Sequence, residues 1–130
     1  MSALTSPMIY AYPYIGMFIM LPHQFFKLLS DETRVRCLML VAREGETCVG
    51  DLAFALQESQ PKVSRHLAQL RSSGILVDKR RGQWVYYELS DQLPGWMQKL
   101  IDDLVASNCL KQEYQEDISR LHDKARAACC

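Results

Sequence analysis

Residues 59–76 read SQPKVSRHLAQLRSSGIL, and residues 77–89 read VDKRRGQWVYYEL. In the first segment Val63, Leu67 and Leu70 recur at spacings of four and three, so they share one face of a helix. Ser59 suits the N-cap, Pro61 the first turn, and Gly74 the stop. The second segment sets Ile75-Leu76-Val77 and Trp84-Val85-Tyr86-Tyr87-Glu88-Leu89 on either side of a basic turn, Asp78 to Gln83. β-Branched and aromatic residues around a Gly predict a hairpin. A helix followed at once by such a hairpin predicts a winged helix-turn-helix, its helix in the DNA major groove and its hairpin along the backbone.

The charge distribution agrees. The 130-residue chain carries 15 Lys and Arg against 15 Asp and Glu, a net charge of zero. Yet residues 59–83 hold Lys62, Arg65, Arg71, Lys79, Arg80 and Arg81 against the single acid Asp78. Phosphate contacts require such a concentration of cations, because each neutralised phosphate releases counterions. The candidate DNA contacts are Ser59, Gln60, Lys62, Ser64, Arg65 and His66 on the helix, and Lys79, Arg80, Arg81 and Gln83 on the hairpin. For His66 a core hydrogen bond is the competing reading.

Further segments carry a resemblance. Phe26-Lys27-Leu28-Leu29-Ser30-Asp31-Glu32-Thr33-Arg34, Val49-Gly50-Asp51-Leu52, Ser59 to Leu67 and Gly82-Gln83-Trp84-Val85-Tyr86-Tyr87 occur in order. From about Pro22 to Trp96 the chain resembles the ArsR/SmtB family of bacterial winged-helix metalloregulators, and within it the arsenic-responsive repressors. The resemblance implies a mainly α fold with a small β-hairpin (α+β), a homodimer, a double-stranded DNA operator and a thiophilic inducer.

The rest of the chain fits one domain of this kind, too small for a separate catalytic domain. A helix is expected over Pro22 to Leu29. A second begins near Asp31, with Val35, Leu38, Met39 and Ala42 on one face, and ends at Gly45; a third spans Val49 to Leu56. After the hairpin, Pro94 opens a helix with Trp96, Leu100, Leu104 and Val105. Leu110, Tyr114, Ile118, Leu121 and Ala125 form a last apolar stripe. Helices beyond a complete winged domain predict a dimer interface, here built on Trp96, Leu100, Leu104 and Ile118. The expected organisation is an N-terminal extension over 1–20, the winged domain over 21–93, and dimerisation helices with a Cys-containing tail over 94–130.

The stretch from Met8 to Leu21 is largely apolar but interrupted by Pro13 and Gly16, and no Lys or Arg precedes Lys27. It is too short and broken to span a membrane and lacks the positive start of an export signal, so a cytoplasmic protein without membrane contact is expected. Either translation begins at Met17 or Met20, or residues 1–20 form an arm over the dimer surface.

Five cysteines remain: Cys37, Cys48, Cys109, Cys129 and Cys130. An odd count without an export signal argues against a disulfide scaffold. Cys37, among apolar residues, reads as a small buried hydrophobe. The resemblance implies a Cys-Val-Cys-Asp-Leu-Cys arsenite site at the third helix. Here the text is Cys48-Val49-Gly50-Asp51-Leu52-Ala53, which keeps one thiol of three. The expected site for trivalent arsenic, as arsenite or a methylated arsenical, is therefore Cys109, Cys129 and Cys130, with Cys48 as the secondary candidate. One continuous helix would hold Cys109 and Cys129 roughly 30 Å apart, so a turn or a second subunit would be needed.

Zinc sensing is not expected, because His23, His66 and His122 are the only histidines and no Cys-x-x-Cys occurs. No Gly-rich phosphate loop, nucleophile–base constellation, or permanent cofactor motif is present, which argues against an enzyme. Two classes remain: an arsenic-resistance-type repressor released from its operator by a trivalent arsenical on cysteine thiolates, or a thiol redox-responsive winged-helix repressor without a metal ligand.

Overall fold

Local signals set most of the boundaries in the computed structural model, which describes residues 20–107 and 112–126. Helix α1 runs Pro22–Leu28 and α2 runs Glu32–Glu44. The Asp31 carboxylate caps α2 by accepting the Arg34 N–H at 3.0 Å, and Gly45 closes it at φ 83°. Helix α3, Val49–Leu56, ends where Gln57 takes the left-handed step at φ 55°. Three residues later α4, Gln60–Ser72, opens on Ser59, whose hydroxyl accepts the Lys62 N–H at 3.4 Å. The pair α3–α4 is the helix-turn-helix. Gly74 leaves α4 at φ 92° and turns the chain into the sheet.

Strands β2, Leu76–Arg81, and β3, Trp84–Leu89, pair antiparallel from Leu76↔Leu89 to Arg81↔Trp84. The hairpin is therefore tighter than expected. Asp78 to Arg81 lie inside the strand, and only Gly82-Gln83 form the turn, with Gly82 at φ 65°. A positive φ at the first of two loop residues favours Gly there. A two-residue strand not anticipated from sequence, β1 (Thr47–Cys48), pairs with β3 and makes the sheet order β1-β3-β2.

The core lies where α2, α3, α4 and the sheet meet, around Leu38, Leu52, Leu56, Leu67 and Ile75. On α2 the fully buried positions are Cys37, Leu38, Leu40 and Val41, while Val35, Met39 and Ala42 are half-buried. The single-stripe expectation fails because α2 is packed on several sides, by α3, α4, α5 (Gly95–Ala106) and α6 (Gln112–Arg126). The chain leaves α5 at Ser107 in extended conformation, so α5 and α6 are separate helices, as the sequence predicts.

The described part of the α6 stripe packs along α3 of its own chain, with Leu121 in the core and Ile118 against it. Asp117, only 1% exposed, fixes this arrangement. Its carboxylate accepts two hydrogen bonds from Arg36 of α2, at 2.8 and 2.7 Å, and one from Arg120 at 2.9 Å. The same guanidiniums donate to the Leu56 and Ala55 carbonyls, at 3.3 and 2.7 Å. Those are C-terminal carbonyls of α3, which a helix end leaves without partners of its own. One carboxylate and two arginines thus tie α2, α3 and α6 together.

Removing the acid strands two partly buried cations. Asp117→Ala should lose about 3 kcal/mol of unfolding free energy, the usual result of breaking a buried pair from one side. Urea denaturation reads this directly. An unchanged midpoint would show that the α6 packing does not depend on the pair.

Candidate nucleic-acid interface

Burial of Val63, Leu67 and Leu70 against the core turns the opposite side of α4 outward. Ser59, Gln60 and Arg65 are exposed there, and Lys62 and Ser64 are half-exposed. Lys62 pairs with Glu58 at 3.1 Å. A shallow groove between the start of α4 and the hairpin brings Gln60, Ser64, Gln83 and Trp84 together. Cys48, Val49 and Gly50 line it as well. Trp84 is 41% exposed beside these polar side chains. It was absent from the sequence-based set, although an aromatic next to a basic turn was the available signal.

His66 differs from its neighbours on α4. It is buried, 9% exposed, and faces α2 rather than the groove side. Of the two readings offered for His66, a DNA contact or a core hydrogen bond, its surroundings are those of the second. Arg34 Nη1 lies 3.3 Å from His66 Nδ1 and donates to Gln69 Oε1 at 2.6 Å, while its Nε donates to the Leu28 carbonyl at 2.6 Å. A guanidinium can only donate, so Nδ1 is the acceptor in this contact and an N–H lies on Nε2. That nitrogen faces Asp31 Oδ1 at 3.8 Å. Burial opposes ionisation of Asp31, but the Arg34 amide and the neighbouring positive charges outweigh it and hold the carboxyl below its ordinary value. The cap of α2 is thus linked to the orientation of α4 through Arg34 and His66.

On the hairpin, Lys79, Arg80 and Arg81 are all exposed. Strand alternation sends Lys79 and Arg81 to one face. Arg81 Nη1 pairs with Glu46 Oε1, and its guanidinium stacks over the Tyr86 ring at 5.1 Å. Lys79 Nζ pairs with Glu88 at 2.9 Å and approaches Glu46 Oε2 at 3.8 Å. The hydrogen bond with Glu88 raises the Lys79 ammonium above its ordinary value, and that with Glu46 does the same for Arg81. Arg80 makes no ion pair among the described residues. Glu46 was not singled out from sequence, because its partners lie 33 and 35 positions away.

Of the residues expected to hold a dimer, Trp96 and Leu100 are 38% and 37% exposed and Leu104 is half-buried. Ile118 is half-buried and packs against its own chain's core. Phe26, 55% exposed on α1, joins the patch. It contacts Phe25, whose ring meets Trp96 edge-on at 5.5 Å between centroids.

Among the described residues, no cluster of three His, Cys, Asp or Glu side chains is disposed to hold a metal ion. Cys109, Cys129 and Cys130 lie outside the described residues. Cys37 is a free thiol whose burial pushes its pKa up to about 12, which makes it inert. Cys48 is buried and stands in a disulfide.

Known proteins share this architecture. A family model described as bacterial regulatory protein, arsR family, matches residues 31–78, from the cap of α2 into β2. The "Arsenic resistance transcriptional regulator ArsR1" of Pseudomonas putida is 53% identical over 90 residues, 69% of this chain and 70% of that protein. The "Arsenical resistance operon repressor" of Escherichia coli K12 is 48% identical over 105 residues, 81% of this chain and 88% of that protein. Among solved structures, reduced HlyU from Vibrio cholerae N16961 is similar at a TM-score of 0.57 and 30% identity, over 66% of this chain and 86% of that one. The chain belongs to the arsR family of bacterial regulatory proteins, winged-helix DNA-binding transcriptional repressors rather than enzymes.

Proposed function

We propose that the chain represses an arsenic-resistance-type operon as a homodimer and, with its cysteines reduced, is released when a trivalent arsenical binds the thiolates of Cys109, Cys129 and Cys130. The observation that carries the inducer class is the 48% identity to a protein named as an arsenical resistance operon repressor, joined to a thiol-rich tail. Gly50 and Ala53 stand where the expected thiol site needs sulfur, so the donors must come from elsewhere. Arsenic is thiophilic. Arsenite exchanges three hydroxyls for three cysteine sulfurs, each hydroxyl leaving as water with the proton of a thiol; a monomethyl arsenical exchanges two.

The exposed patch of Phe26, Trp96 and Leu100 supports association of two copies. Two copies of α4 would then read a pseudo-palindromic operator through Ser59, Gln60, Ser64 and Arg65, with Lys62, Gln83, Lys79, Arg80 and Arg81 on the backbone. In this reading His66 acts indirectly, by holding α4 against Arg34. Gln60→Ala or Ser64→Ala should relax sequence preference, while Arg80→Ala should weaken binding to all duplexes and lower the salt slope by about one. Fluorescence anisotropy against a sequence panel separates the two behaviours. Equal losses on every sequence from all three changes would remove Gln60 and Ser64 from base readout.

A second reading rests on one observation, the disulfide at Cys48. There two thiols would pass two electrons to a peroxide, giving a disulfide and two waters, with no metal ligand. Titration of the DNA complex with phenylarsine oxide, arsenite and hydrogen peroxide distinguishes the readings. A coupling of roughly 1–3 kcal/mol releases DNA several- to a hundredfold. Cys109→Ser, and Cys129→Ser with Cys130→Ser, should retain DNA binding and lose release by both arsenicals, while Cys48→Ser responds normally. Loss of the arsenical response in Cys48→Ser alone would move the site to α3. Release by peroxide only would establish the redox reading.

A further inference from the structure

Two of the three hairpin cations already have an anion. Glu46 sits in the turn between α2 and β1, and that turn is anchored. Gly45 ends α2 by donating its N–H to the Val41 carbonyl at 2.8 Å, the Thr47 hydroxyl donates to the Gly45 carbonyl at 2.8 Å, and Thr47 pairs with Tyr87 in the sheet. The Glu46 side chain is 24% exposed, against 55% for Arg81 and 50% for Lys79. One carboxylate oxygen meets Arg81. The other is shielded from solvent with no hydrogen-bond partner, and Lys79 Nζ is 3.8 Å away. The acid is thus the fixed member: the long Arg81 side chain comes to it, and Lys79, hydrogen-bonded to Glu88, lies close enough to feel its charge.

A phosphate must compete for the same cations. Arg81 reaches DNA only by leaving Glu46, exchanging one anion for another, so the counterion release that drives backbone binding is reduced. An exposed pair of this kind is weak enough to be broken by a polyanion. It is still close enough to lower the local positive potential that DNA meets. Base contacts from the start of α4 involve neither Glu46 nor its partners. The attenuation therefore falls on the sequence-independent part of binding.

We propose that Glu46 sets the DNA affinity of the hairpin by competing with backbone phosphate for Arg81 and Lys79, which restrains sequence-independent binding. Glu46 is a tuning residue that touches no base. This inference rests on the reading of the hairpin as a backbone-contacting element.

The test is binding of the full chain to a fluorescent duplex of random sequence, followed by anisotropy over about 0.05 to 0.2 M salt. Glu46→Gln should bind this duplex roughly 3- to 10-fold more tightly than the parent, with a salt slope steeper by about one to two. Glu46→Ala should change in the same direction, which guards against an effect peculiar to the amide. Asp91→Asn, the same charge change at the exposed base of the hairpin, should shift affinity less than about twofold. In Glu46→Gln with Arg81→Ala most of the gain over Arg81→Ala alone should vanish. Equal or weaker binding by both Glu46 variants, or a full gain that persists without Arg81, overturns the proposal. A parent in which Arg80→Ala leaves affinity and salt slope unchanged would instead overturn the hairpin reading beneath it.

Discussion

A carboxylate stripped of water must be compensated by charge and hydrogen bonds, and Asp117 finds both in Arg36 and Arg120. The remaining donors of those guanidiniums reach the carbonyls of Ala55 and Leu56, so the end of α3 is satisfied by the same groups. This arrangement decides where α6 goes. A helix free to extend from α5 is instead laid along the first helix of the helix-turn-helix. The polypeptide that leads to the Cys-containing tail is therefore mechanically joined to the element that carries the recognition helix.

The recognition helix has a second restraint on its other side. Arg34 spans from the Leu28 carbonyl to His66 and Gln69, and Asp31 holds the start of α2 beside them. α4 thus sits between two arginine-centred networks, one through α3 and α6 and one through α1 and α2. Surface ion pairs at the hairpin are of a different kind. They contribute little to stability but alter the charge that DNA encounters, as Glu46 does for Lys79 and Arg81.

What the sequence disclosed was local. Asp31 and Ser59 at N-caps, Pro61 in a first turn, and Gly45 and Gly74 at positive φ act within a few residues, and α2 and α4 begin and end where they indicate. Strand β1 has no such signal; two residues become a strand only by pairing with Tyr86 and Tyr87. Lys79, Arg80 and Arg81 look like a loop by composition, but pairing with β3 overrides that preference. The inward turn of His66, the role of Glu46 and the intramolecular packing of Ile118 all depend on partners 32 or more residues distant or on another helix. Exposed candidates on α4 followed directly from which side its Leu and Val residues bury.

If a ligand on the tail thiols releases DNA as proposed, its path to the recognition helix runs through α6 and the clasp of Asp117 on α2 and α3. Asp117→Asn tests it most directly, since the amide keeps the shape and removes the charge. Binding of phenylarsine oxide and release of duplex DNA should be measured on the same sample. The account predicts that the variant still binds DNA and still takes up the arsenical, but that release falls at least severalfold, as expected when a coupling of about 1–3 kcal/mol is lost. Full release at the parent's arsenical concentration would contradict it.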